Sequence, residues 1–115
     1  MTLFGIKNCN TVKAAVDWLN QHGVAFAFHD YKKSGVSAAQ LSAWCDQVGW
    51  ERLVNKRGTT WRQLPEDTQR KVVDAPSAIA LMMEKPSVIK RPLIEDKQRV
   101  LLLGFDAPEY EKVFG

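Results

Sequence analysis

The amino-acid sequence predicts a single α/β domain, and three observations carry that prediction. Residues 2–6 are apolar and β-compatible, and beyond a turn-like Lys7-Asn8 the apolar residues Val12, Ala15, Val16 and Leu19 recur at helical spacing. Residues 24–30 then read as a second strand, so the chain opens with strand, helix, strand. After a helix-rich middle, Leu93-Ile94 and residues 100–103 return to strand character.

Each element has its local reason. Gly23 follows His22 where a helix end calls for a left-handed residue. Two strands of one sheet joined by a helix of about a dozen residues form a right-handed parallel crossover. Ser37 is an N-cap and Gln40 completes a capping box. Leu41, Trp44, Cys45 and Val48 share one face of the helix that follows, and Gly49 offers its stop. Between about residues 50 and 85, Gly58, Pro65 and Pro76 break the chain into short helices. Their expected apolar contacts are Trp50, Leu53, Trp61, Leu64, Val72, Ile79, Met82 and Met83. The polar spacer Glu95-Asp-Lys-Gln98 suits a hairpin, and a helix from Pro108 to about Phe114 closes the chain. This order describes a thioredoxin-like α/β sandwich: a βαβ unit, a β-hairpin and a C-terminal helix, with a helical insertion at about residues 37–85.

Composition narrows the functional classes. A chain of 115 residues is long enough for one domain with a real core and short for two. With 45% hydrophobic and 25% charged residues it reads as an ordinary soluble globular protein. No apolar run approaches the roughly 20 residues needed to cross a bilayer. The start of the sequence lacks the basic and apolar regions of a signal peptide, so a cytoplasmic location is expected. The net charge of +3 is spread among alternating signs without a basic block, so charge gives no reason to expect nucleic-acid binding. Cys9 and Cys45 are both expected to rest as free thiols, since a cytosolic chain of this size needs no disulfide staple.

Cys9 is the residue with chemistry to offer. It falls at the hinge between the first strand and the first helix, where unpartnered backbone amides and the helix macrodipole favour thiolate over thiol. Its neighbours Lys7, Asn8, Asn10 and Thr11 are polar, which favours an accessible sulfur over a core one. Cys45, on an apolar helix face, is expected to be buried and inert. His22 and His29 lie on different elements with no Cys/His cluster beside them, so no metal site is expected. Gly5 and Gly23 are isolated, and no glycine-rich phosphate loop is present.

Three segments, in order, give a family resemblance: Leu3-Phe-Gly-Ile-Lys-Asn-Cys-Asn-Thr-Val-Lys13, Leu53-Val-Asn-Lys-Arg-Gly-Thr-Thr-Trp-Arg62 and Pro86-Ser-Val-Ile-Lys-Arg-Pro-Leu-Ile-Glu95. Together they resemble the arsenate reductase (ArsC) and Spx family, in particular its YffB-like members. The resemblance implies that Cys9 is the attacking thiol, that Arg91 faces it as the cation, and that Pro92 is cis beside them. A guanidinium suits that place, because it keeps its charge and can hold an anion by two points. Asn8, Asn10, Thr11 and Lys13 would build the site around the sulfur, with Arg57 as a further substrate contact.

The departures shape the expected activity. Arsenate reductases of this type use two further arginines. At the first this chain has Asn55, with Arg57 two positions later, and the last has no counterpart among residues 101–103. The resemblance therefore implies that Cys9 attacks a disulfide, small-molecule or protein, or an oxyanion, with arsenate disfavoured as the physiological substrate. Spx-type regulators often carry a Cys-x-x-Cys switch, but here the fourth position is Val12. A mixed disulfide on Cys9 would then be resolved by an external thiol, glutathione or a glutaredoxin-like protein. Glutathione is thus expected as co-substrate, with no tightly bound cofactor. The alternative function that the resemblance allows is a non-enzymatic, Spx-like regulator that binds RNA polymerase.

Overall fold

A computed structural model describes residues 1–115. The elements, in order, are β1 (Thr2–Gly5), α1 (Asn10–Gln21), β2 (Ala27–Asp30), α2 (Tyr31–Ser34), α3 (Ala38–Val48), α4 (Trp50–Leu53), α5 (Thr59–Arg62), α6 (Glu66–Arg70) and α7 (Ala75–Glu84). A 3₁₀ turn at Pro86–Val88 leads to β3 (Leu93–Asp96), β4 (Arg99–Leu103) and α8 (Ala107–Phe114). The chain divides into two compact units, one made of Met1–Ser34 and Arg91–Gly115, the other of Gly35–Lys90.

The first unit carries a four-stranded sheet in the order β2-β1-β3-β4, with β1 and β2 parallel and the other pairs antiparallel. A βαβ unit followed by a hairpin and a terminal helix gives the thioredoxin-like fold that the sequence predicted. Alternation along β1 and 3.6-residue spacing along α1 bring Leu3, Val12, Ala15 and Leu19 into one core with Ile94, Leu102 and Tyr110. The Tyr110 hydroxyl donates to the Gly104 carbonyl at 2.8 Å, which satisfies a polar group inside that core.

Two expectations for this unit need correction. The second strand is shorter than residues 24–30, because a ladder exists only where its partner does. β1 offers four residues, paired from Thr2 with Ala27 to Gly5 with Asp30. The hairpin connection is also tighter than a four-residue spacer. Glu95 and Asp96 extend β3, and the turn is Lys97-Gln98 alone, with φ of 52° and 67°. Positive φ at both central residues is the geometry whose twist matches a right-handed strand pair.

In the second unit α3 touches α4 and α7, and the chain between them turns through short helices. The Ser37 hydroxyl accepts from the Gln40 amide at 3.1 Å, and the Gln40 side chain accepts from the Ser37 amide at 3.1 Å. Leu41, Trp44 and Cys45 are buried, as the helical face predicted. Pro76 does not break a helix; it sits in the first turn of α7, where its missing N–H costs nothing. Met83, expected as an apolar contact, is 49% exposed on that helix.

The Ser37 capping box yields a stability prediction. Ser37→Ala removes the oxygen that satisfies the Gln40 amide, and should lower the unfolding free energy by about 1 kcal/mol. Urea denaturation checks it, and an unchanged midpoint would remove the cap from the account of α3.

Candidate functional site

The site is built on the connection between β1 and α1. After Gly5 the chain turns at Lys7-Asn8, and Cys9 takes an extended conformation (φ −118°, ψ 121°) as the N-cap of α1. Its carbonyl already accepts the Lys13 amide at 2.9 Å, so the first turn of the helix is anchored on this residue. The side chain makes no conventional capping hydrogen bond. The Val12 and Thr11 amides nevertheless point at the sulfur closely enough to favour its anion.

Arg91 completes the arrangement. Its side chain donates a hydrogen bond to the Cys9 sulfur and adds an opposite charge beside it. Partial burial alone would push the thiol up. The Val12 amide, the Arg91 hydrogen bond and charge, and the Thr11 amide outweigh that burial and hold Cys9 below the ordinary thiol range. The Arg91-Pro92 peptide bond is cis, and the Pro92 carbonyl accepts the Gly104 amide at 2.8 Å.

Around the sulfur the other expected residues differ in what they offer. Asn8, Asn10 and Thr11 are exposed at the turn and the first helical turn, and Lys13 is exposed one turn further on. Arg57 belongs to the Gly35–Lys90 unit, where its amide donates to Asn55 Oδ1 at 3.3 Å. His22 caps the C-terminus of α1, stacked on Trp18 with ring centres 3.7 Å apart, and His29 lies in β2 against Phe4. No group of three or more His, Cys, Asp or Glu side chains converges anywhere in the structure.

Two features escaped the sequence reading. Tyr31, at the start of α2, is fully buried, and burial pushes its hydroxyl far up even though the Arg91 charge pulls the other way. An open groove of about 750 Å³ also runs from Cys9 past Val12 and Val16 to Phe26 and Phe28, with Lys7 and Lys13 beside it. The signal for the groove was present, since Phe26 and Phe28 are two apart in extended backbone and share a face.

Cys45 is the contrasting thiol. Burial first, and then the Asp46 charge, push it up. The two cysteines should therefore separate in a pH titration with a neutral alkylating reagent. Cys9 should reach half its maximal rate below the pH of a free thiol and Cys45 above it, because only the deprotonated form reacts. Arg91→Ala should move the Cys9 midpoint to higher pH and slow its reaction at pH 7 about threefold to tenfold, the effect of one partly screened charge-assisted contact. Arg91→Lys should restore part of that loss, since an ammonium returns charge without the planar fork. Equal midpoints for the two cysteines, or an Arg91→Ala protein as fast as the parent at every pH, would sink the electrostatic account.

The model of the ArsC family matches residues 4–113. An uncharacterized protein of Haemophilus influenzae is 41% identical over 114 residues, covering 99% of this chain and 98% of its own. The global transcriptional regulator Spx of Streptococcus agalactiae is 30% identical over 111 residues, covering 95% of this chain and 79% of its own. Among solved structures, the YFFB protein superposes with a TM-score of 0.92 at 42% identity, over 99% of this chain and 98% of that one. An arsenate reductase (ArsC) related protein from Brucella melitensis is similar at 47% identity with a TM-score of 0.78, over 98% and 92% of the two chains.

Proposed function

Since the chain belongs to the ArsC family, we propose that it is a thiol reductase with Cys9 as its nucleophile and glutathione as its co-substrate. The observation that carries this reading is the Arg91 side chain hydrogen-bonded to a sulfur at a helix N-cap. A thiolate so held attacks one sulfur of a disulfide, forming a Cys9 mixed disulfide and expelling the other sulfur as a thiolate that takes up a proton. No second cysteine stands three residues on, where Val12 is found, so an outside thiol must complete the cycle. One glutathione attacks the mixed disulfide and a second removes the first, leaving two substrate thiols and one molecule of oxidised glutathione. A glutaredoxin-like protein could supply the same thiol. Arg91 holds the anionic state of Cys9 before attack and after release, and Asn8, Asn10, Thr11, Lys13 and Pro92 surround the position of the incoming sulfur. Arsenate does not enter this proposal, because Asn55 and residues 101–103 lack the further arginines that would hold an oxyanion.

One observation favours a second reading, the 30% identity to Spx regulators along 95% of the chain. In it the protein is a non-enzymatic partner of RNA polymerase, and Cys9 is dispensable.

The two readings part on one pair of experiments. Incubation with oxidised glutathione should add a single glutathione, located by peptide mapping on Cys9 and not on Cys45. Cys9→Ser should add none and should reduce glutathione-dependent disulfide turnover to background. An adduct on Cys45, or full turnover by Cys9→Ser, defeats the reductase. Co-purification of polymerase subunits with a Cys9→Ser protein that still functions in the cell would establish the regulator.

A further inference from the structure

The groove beside Cys9 has a composition that the attack on a sulfur does not require. Val12, Val16, Phe26 and Phe28 make its wall apolar, Lys7 and Lys13 supply positive charge, and no acidic side chain lines it. Its volume of about 750 Å³ lies in the range of about 300–1,000 Å³ usual for ligand-binding clefts, room for a few side chains of a longer ligand. Glutathione, with no apolar side chain, leaves such a wall unused. Phe28 is 39% exposed, so its ring is open to whatever occupies the groove. It belongs to β2, which is one of the two edge strands of the sheet. Edge strands are where extended polypeptide is commonly received, with side-chain pockets giving specificity.

We infer that this groove receives the polypeptide part of the substrate, an extended acidic and apolar stretch whose cysteine is held in a disulfide above Cys9. The inference rests on the reductase reading and adds to it a substrate class. Apolar side chains of the substrate lie against Val16, Phe26 and Phe28, while its carboxylates meet Lys7 and Lys13. In the step itself Cys9 forms a bond to the peptide sulfur. The peptide's former disulfide bond breaks, and its partner leaves with the electron pair and then a proton.

Three five-residue peptides test it, each with one cysteine joined to thiopyridine, so that release of thiopyridone reports attack by Cys9. The first carries leucine, phenylalanine and two glutamates; the second has glycines for the apolar residues; the third has lysines for the glutamates. Rates are divided by the rate with dithiodipyridine, which cancels any change in the thiolate itself. The first peptide should react about tenfold faster than the third and about threefold faster than the second. Lys7→Gln combined with Lys13→Gln should remove most of the charge preference, as should added salt, and Phe28→Ala should remove most of the apolar preference. Three normalised rates within twofold of one another, while Cys9 still reacts with dithiodipyridine, would overturn the inference and leave the reductase standing. A Cys9 that reacts with no disulfide at all would overturn both.

Discussion

The seating of α1 on β1 fixes where the Cys9 sulfur stands, and the rest of the site is arranged around that point. Val12, Ala15 and Leu19 bury one face of the helix in the core that Leu3 and Ile94 share. Gly5 at the end of β1 makes the approach possible. A Cβ there would lie 2.9 Å from Val12 Cγ2 and 3.1 Å from Cγ1, and a β-branched side chain has little freedom to swing aside. The strand end and the first turn of the helix are therefore held in contact, and Cys9 is the N-cap between them. Its exposure to the Val12 and Thr11 amides is a consequence of that packing.

What the sequence disclosed and what it withheld divide along physical lines. The apolar spacing of α1, the Ser37 and Gln40 box, and the buried face of Leu41, Trp44 and Cys45 are local patterns with one good structural answer, and they were legible. Cys9 at a strand-to-helix hinge was legible for the same reason. The Lys97-Gln98 turn was not, because residues at positive φ are usually announced by glycine or asparagine, and this pair carries no such mark. Pro76 was misread because the same residue breaks a helix interior and begins a helix, and only the position of Asp74 as N-cap distinguishes the two. The pull of the Arg91 charge on Tyr31 acts between residues sixty apart in sequence, which no local pattern encodes.

The two thiols show how far surroundings, and not residue type, set reactivity. Cys9 and Cys45 both lose some water, and desolvation alone would push both up. Cys9 is returned below the ordinary range by two amides and a guanidinium, whereas the charge that acts on Cys45 is the carboxylate of Asp46, which adds to the burial. A guanidinium is suited to its task because it cannot release its proton to the sulfur, so the pair cannot collapse to neutral thiol and neutral base. Lysine in its place could shift its own pKa and surrender the charge when desolvated.

On the reductase reading, this arrangement separates two tasks that a single cation would perform less well together. Arg91 acts directly on the sulfur, so on that reading its effect on the thiolate is the same whichever disulfide arrives. Lys7 and Lys13 are exposed, and they stand along the groove. Charges of that kind act weakly on a fixed neighbour and more usefully on a partner that brings its own charge, since each contact is screened and only their sum discriminates. In the proposed reading, reactivity is therefore set at the N-cap of α1 by packing and one guanidinium. In the same reading, choice of substrate is set along the groove, by side chains that can change without altering the sulfur.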